Sequence, residues 1–568
     1  MKKVILIVSL AFSINAFANT IIPGGTVSGT WTLAGSPYLV QGSIMIPNDS
    51  TLTIEPGVTV NFQGTYKMYV QGRVIAIGTA TDTIIFTAAD TTNGWRGIRF
   101  DNTTINNDTS KLSYCKLQYG KATGTSPDDN GGAFDFNNFS KAIISNCLIS
   151  NCTANTYGGG IYGYDSSPII TNNTISNNTA YYGGGIYCIG SSPTITNNTI
   201  SNNTANYYGG GIYCNGNDPT ISNNTISNNT ANYYGGGIYC GGSTITNNTI
   251  SNNTALIDGG GIYCFQNNPT ISNNAISNNS ASGFGGGIYC AYSYLTITNN
   301  TISNNTASVG GGIYCCNHSN ATISNNTIAN NSAVNGGALY CTSTSNPILR
   351  NTILWGNTAS TSGQQVYLND EASDPNFYYC DVQGGSATFE LNGGFYTGTY
   401  QNNMDSDPLF VSPSGGSGTG FNGVTADWSL QSGSPCIDAG DPSGIYPATD
   451  KAGNPRIIEV IACIIDMGAY ENQSGVSCLT SIPFLTSNEQ IQITIFPNPN
   501  NGIFSINSNG CNINLIEIYN VLGENIYSDA ISNQKTTNEI DVSDFSKGIY
   551  FVKIYDGTEI YDRKIVVQ

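Results

Sequence analysis

Breaking a polysaccharide on an extended protein surface takes either a lysine or arginine base beside calcium, or two carboxylates flanking the bond. Between Asn155 and Leu349 the only charged or histidine side chains are Asp165, Asp218, Asp258 and His318, and counted against the local repeat they fall in four different turns. His318, the only histidine of the chain, sits in a Cys-Cys-Asn-His-Ser-Asn stretch and reads as a solvated loop residue. Basic and acidic residues gather earlier, at Lys67, Arg73, Asp82, Asp90, Arg96, Arg99, Asp101 and Lys111. Exposed strand edges and loops are the expected use of those charges, with a lyase-type site there as the alternative. Asp438, Asp441, Asp450 and Asp466 offer the oxygen ligands calcium prefers. No EF-hand-like spacing or nonapeptide repeat accompanies them, and turn and capping roles are the expected use of these carboxylates.

Two other residue types recur at fixed spacing. Tyr187, Tyr213, Tyr239, Tyr263, Tyr289, Tyr314 and Tyr340 each follow the apolar residue of a Gly-Gly-(Gly or Ala)-apolar unit, and Cys188, Cys214, Cys240, Cys264, Cys290, Cys315 and Cys341 come next. The apolar residue itself recurs at Phe134, Ile161, Ile186, Ile212, Ile238, Ile262, Ile288, Ile313 and Leu339, every 24 to 27 residues. A period of that length marks a solenoid. Within one period, short segments rich in Ile, Thr and Tyr are separated by Gly, Pro or Asn-Asn, which predicts three strands and three corners per coil. The Asn, Gly and Thr density excludes helical coils.

Alternation along each strand then assigns faces. Ile170, Ile195, Ile221, Ile245, Ile271, Ile297 and Ile323 form one interior ladder, and the run from Ile149 and Ile175 to Ile302 and Ile328 forms a second. The cysteines point inward about 4.8 Å apart, either as stacked thiols acting as small hydrophobes or with some bridging. The tyrosines point outward as an aromatic stripe, whose roles are mutual stacking or contact with a glycan. Asn pairs such as Asn197-Asn198 belong at corners, where Asn tolerates the left-handed conformation and bonds from coil to coil.

Composition narrows the partners. Net charge is −18 and the isoelectric point about 4.2, which argues against nucleic acid, because phosphate contacts need the Lys and Arg that are scarce here. Calcium or a neutral glycan suits this surface better. At the N-terminus Lys2 and Lys3 precede an apolar run from Val4 to Ile14 and a small-x-small site at Ala16-Phe17-Ala18, the pattern of a signal peptide over residues 1–18. No segment has the roughly 20 apolar residues of a transmembrane helix.

The GGGIY and TISNN units, over about residues 126–370, resemble the pectate-lyase-like superfamily of right-handed β-helices and the repeats of polymorphic outer-membrane proteins. Residues 43–64 and 94–100 look like the first coils of such proteins, placing N-terminal coils and a cap at 19–125. The series DPLF (407–410), DWSLQSGSPCIDAGD (427–441) and IDMGAYE (465–471) resembles the closing segment behind many bacterial secreted β-helices, and 371–472 is assigned to it as an end cap. Residues 473–487 read as a linker. From 488 to 568 alternating strands predict a small β-sandwich. Pro497-Asn498-Pro499, Gly523, Gly548-Ile549-Tyr550 and Lys564 closely resemble the C-terminal sorting domain of the type IX secretion system of Bacteroidota. That resemblance implies passage across the outer membrane of a Gram-negative cell, with the cargo secreted or attached to the surface. The expected architecture is all-β, a right-handed parallel β-helix solenoid followed by a small C-terminal β-sandwich. The expected role is non-catalytic adhesion or contact with a polysaccharide or surface glycan, with a polysaccharide lyase or glycoside hydrolase of the same fold as the alternative.

Overall fold

Each 25-residue repeat closes one turn of a right-handed parallel solenoid, because its three apolar segments share one interior. The computed structural model describes residues 19–456 apart from 102, 104, 105, 140, 217 and 445, then 464–473, and 492–567 apart from 499, 510–512, 521–523, 532–536 and 556–559. The expected signal peptide and nearly all of the expected linker lie outside the described residues. The chain divides into two units, Met1–Cys478 and Leu479–Gln568.

Three parallel sheets of 15 strands form the faces of the first unit. Sheet A holds strands such as Thr199–Ser201, sheet B those such as Ile212–Asn215, and sheet C those such as Thr220–Ser222. A two-residue Thr-Ala strand, Thr204–Ala205 in one coil, adds a narrow fourth ribbon of seven strands that the three-strand expectation did not contain. Pairing is in register, so Ile186 lies over Ile212, Cys188 over Cys214, Ile195 over Ile221 and Ile200 over Ile226. These residues are at most 1% exposed, and each buried isoleucine contributes about 1.5–3 kcal/mol. All 13 described cysteines are unpaired and buried, with Cys240 Sγ 3.4 Å from Cys264 Sγ.

The two members of each Asn pair divide the corner's work. The first, at Asn197, Asn202, Asn223 and Asn228, takes φ of 55–57° and turns the chain. The second is buried and builds a ladder. Asn229 Nδ2 donates to Asn253 Oδ1, and Asn253 Nδ2 to Asn279 Oδ1, at 3.0 and 2.9 Å. Each such amide also donates to an isoleucine carbonyl, Ile226 O for Asn253, at 2.9 Å. At the opposite corner Gly235 has φ of 71°, and a Cβ on Gly236 would lie 2.5 Å from the Thr254 carbonyl carbon, so the coils meet there backbone to backbone.

Of the expected closing segment, residues 371–401 supply the last strands of the three sheets, where Phe389, Tyr396 and Tyr400 pack on the end of the core. From about residue 407 the segment folds back along the outer face of sheet A. Upstream, Thr174, Thr199 and Thr225 on that face are exposed, whereas Thr301, Thr327 and Ile353 are buried. Phe410, Trp428, Leu430, Cys436 and Met467 pack on Ala329 and Ile353 as a second core. The left-handed corner asparagines, whose side chains project outward, dock the segment: Asn278, Asn304 and Asn330 donate to the carbonyls of Phe421, Gly416 and Ser414 at 2.6–3.1 Å.

In the second unit, antiparallel sheets of three and four strands share a core of Phe504, Ile506 and Ile540 from one and Ile516, Val552 and Ile565 from the other. Asn498 pins the terminal strand Ile560–Val567, donating to Lys564 O at 2.7 Å and accepting from Val566 N at 2.9 Å. Tyr550 is buried and donates to Ser546 O at 2.6 Å, Gly548 opens its strand, and Lys564 is exposed. Pro497 precedes Asn498 in the turn after strand Gln492–Phe496. Pro499 and Gly523 lie outside the described residues.

Asn253→Ala strips buried partners from the Asn229 amide and the Ile226 carbonyl, an expected loss of about 2–4 kcal/mol. Urea denaturation followed by circular dichroism will show a lower midpoint than for Asn206→Ala, a surface change worth within about 0.5 kcal/mol of zero.

Candidate functional site

The outward positions of sheet B lie in one line along the solenoid. Register carries that line from Tyr69 through Arg99, Asp135 and Tyr162 to Tyr187, then through Tyr213, Tyr239, Tyr263, Tyr289, Tyr314 and Tyr340 to Tyr367. The repeat carries the signal: Arg99 in Gly-Ile-Arg and Asp135 in Ala-Phe-Asp occupy the slot that tyrosine fills in Gly-Ile-Tyr. From Tyr187 onward consecutive rings stack with centroids 4.4–5.3 Å apart and planes within 19°. The corner before each Gly-Gly adds a second row, where Tyr208 stacks on Tyr239, Tyr234 on Tyr263 and Phe284 on Tyr314.

Stacking at coil spacing has a chemical cost. Tyr187, Tyr239, Tyr263, Tyr289, Tyr314 and Tyr340 are only 5–9% exposed and Tyr213 is half-buried. Their ring faces are spent on each other, so the stripe presents ring edges and hydroxyls rather than open platforms, and the Tyr289 hydroxyl accepts from the Cys316 thiol at 3.3 Å. Burial pushes these phenols above the ordinary range, Tyr340 up to about 12, and they stay neutral donors and acceptors.

At the N-terminal end of the line the early charges separate. Lys67, Arg96 and Arg99 gather with Asp128, Asp129 and Asp135, which lie one coil beyond the stretch singled out from the sequence. Arg73 binds Thr109 O and Asp108, Asp82 and Asp90 cap local turns, and Lys111 is exposed. Lys67 Nζ lies 2.5 Å from Asp128, and Arg99 Nη1 lies 2.9 Å from Asp135 Oδ2 and also donates to Asn130 O. The loop over the cluster is tied down by Thr156 Oγ1 donating to Asp129 Oδ2 at 2.8 Å. Five buried polar atoms here, Arg96 Nη1, Arg99 Nη2, Asp129 Oδ1, Asn130 Oδ1 and Asp135 Oδ1, have no hydrogen-bond partner among the described residues. Such concentration is unusual in a folded interior. Burial outweighs the Arg99 guanidinium and pushes the Asp135 carboxyl up to about 6.

The four distal aspartates do not converge, and among the described residues no group of three or more His, Cys, Asp or Glu is placed to hold a metal ion. Asp441 accepts from Ser443 and Arg350; these bonds hold its carboxyl low although burial opposes them. Asp450 accepts the amides of Ala452, Asn454 and Glu471. Asp466 accepts from Asp438 N and Asn472 N, and Asp438 itself takes φ of 52°. His318 is exposed, as are Asp165 and Asp218, while Asp258 is buried and accepts Phe284 N at 2.9 Å.

A family model described as right handed beta helix region matches residues 97–243 and 184–353, and one described as pectate-lyase like beta helix domain matches 25–139. A third, the secretion system C-terminal sorting domain, matches residues 494–568. The chain thus carries β-helix domains followed by a secretion sorting domain. No curated protein matches it. Among solved structures it is similar to the crystal structure of pectate lyase Pel9A, at 14% identity over 80% of this chain and 98% of that one, with a TM-score of 0.28.

Burial raises five carboxyls of the first unit, Asp135, Asp258 and Asp466 to about 6, Asp381 to about 7 and Glu471 to about 8. Raised folded-state values mean that the folded chain holds more protons than the unfolded one. Their contribution is therefore full below about pH 4 and is lost as pH climbs through about 6–8. Thermal unfolding will show a midpoint that falls from about pH 4 to about pH 8; a midpoint that rises across this interval contradicts the assignment.

Proposed function

We propose that this β-helix protein, exported through its sorting domain by the type IX secretion machinery, works at or beyond the cell surface. There it acts as a non-catalytic surface that holds a carbohydrate chain along the outer face of sheet B. The observation that carries this reading is the unbroken line of neutral tyrosine hydroxyls, repeating at one-coil spacing and held rigid by stacking. Rings already fixed lose little side-chain entropy on binding, so their hydrogen bonds to sugar hydroxyls are not eroded by ordering costs. Like groups repeated once per coil along the whole face favour an elongated ligand over a small one.

The Lys67, Arg96, Arg99 and Asp135 cluster favours a second reading, a lyase or hydrolase acting there. Three cations, a carboxyl poised near neutrality and several unpartnered polar atoms are what an acid–base site requires.

The two readings separate on one panel. The full mature protein is incubated with pectins, alginates, glycosaminoglycans and neutral glucans, and both binding and new reducing ends are measured. Binding without new ends is expected, weakened about tenfold in a Tyr239→Phe, Tyr263→Phe, Tyr289→Phe variant that keeps the stack and removes three hydroxyls. Turnover that disappears in Asp135→Asn overturns the adhesive reading in favour of the enzyme.

A further inference from the structure

The fold-back of the closing segment leaves a cavity of about 510 Å³ between itself and the outer face of sheet A. Trp355, Trp428 and Phe410 supply its apolar walls; Asp407, Gln431, Asn330 and Ser414 supply polar ones. Trp355 is the outward residue of the last long strand on this face, next to Ala329 in the adjacent coil, and is half-buried. Trp428 is only 3% exposed, and its indole N–H has no hydrogen-bond partner among the described residues. A buried indole N–H is ordinarily paired.

We infer that this cavity binds one ring of a neutral sugar. The size falls within the about 300–1,000 Å³ range of ligand pockets, and the mixed lining suits a ring with an apolar face and hydroxyls at its edge. Asp407 Oδ1 is engaged by Leu409 N at 3.0 Å, and Gln431 Nε2 donates to Phe410 O at 2.8 Å. Asp407 Oδ2 and Gln431 Oε1 remain as acceptors for sugar hydroxyls, with the Trp428 N–H as donor. No lining residue carries a positive charge, and the Asp407 carboxylate repels uronates, so the site selects neutral sugars over acidic ones. The rim is already rigid. Asn330 Nδ2 donates to Ser414 Oγ at 2.9 Å and Ser417 Oγ to Gly356 O at 2.8 Å, so little ordering is required on binding.

This site lies on a different face from the tyrosine line, and only the choice of carbohydrate links it to the proposed function. The full mature protein is titrated with D-galactose, D-glucose, D-mannose, N-acetylglucosamine and, for comparison, galacturonate, following tryptophan fluorescence. A saturable change with at least one neutral sugar is expected, about tenfold weaker for galacturonate and at least tenfold weaker in Trp355→Ala. Trp428→Phe keeps an aromatic, smaller ring and removes the donor; it will weaken binding while circular dichroism stays unchanged. No saturable response to any of the four neutral sugars, or a response that survives Trp355→Ala, overturns the inference. Because Tyr239→Phe will leave this response intact, loss of polymer binding on sheet B and loss of sugar binding here are read independently.

Discussion

A rise of about 4.8 Å per coil places every side chain of the solenoid directly over its counterpart in the next turn. Whatever a position holds must therefore tolerate contact with copies of itself. Isoleucine, cysteine, asparagine and tyrosine all do, by packing, by close thiol contact, by amide-to-amide hydrogen bonding and by ring stacking. Ionised groups do not, since like charges directly opposite one another destabilise a sheet. This rule accounts for a body in which charged side chains nearly vanish between Asn155 and Leu349. It also explains why charges reappear where the repeat is imperfect. At Arg99 and Asp135 opposite charges face each other in adjacent coils, an arrangement no exact repeat permits.

What the sequence made legible follows the same rule. Positions that recur, such as the Ile186 and Ile195 columns, the left-handed Asn197 and the buried Asn198, are readable from one coil because the other coils repeat the message. Alternation puts the tyrosines on the outside of the solenoid, but their exposure is not readable from it. Facing outward and being accessible differ when the neighbour's ring lies one stacking distance away. The aperiodic parts were harder. Nothing in the DPLF and DWSL stretches tells that Phe410 and Trp428 seek the outer face of sheet A, since that contact pairs residues far apart in sequence with no repeat to calibrate them. Asp135 is hard to read for a related reason: it stands one coil beyond the charged stretch that ends at Lys111, and only strand register brings it opposite Arg99.

The second unit obeys different physics. Its core comes from alternating strands in two small antiparallel sheets, and its sorting-type residues act structurally as well. Asn498 ties the turn after its first strand to the backbone of the last, so the two ends of the unit are joined by a side chain rather than by pairing alone.

The docking of the closing segment on Asn278, Asn304 and Asn330 makes the solenoid a ruler read from one end. Those asparagines belong to three successive coils counted back from the C-terminal turn, and upstream coils carry the same outward residue at Asn177, Asn202, Asn228 and Asn252. Whole coils are thus interchangeable modules in the gene. Duplication or loss of a 25-residue unit upstream lengthens or shortens the molecule by one rung, while the lateral segment and the tryptophan pocket beneath it keep their register.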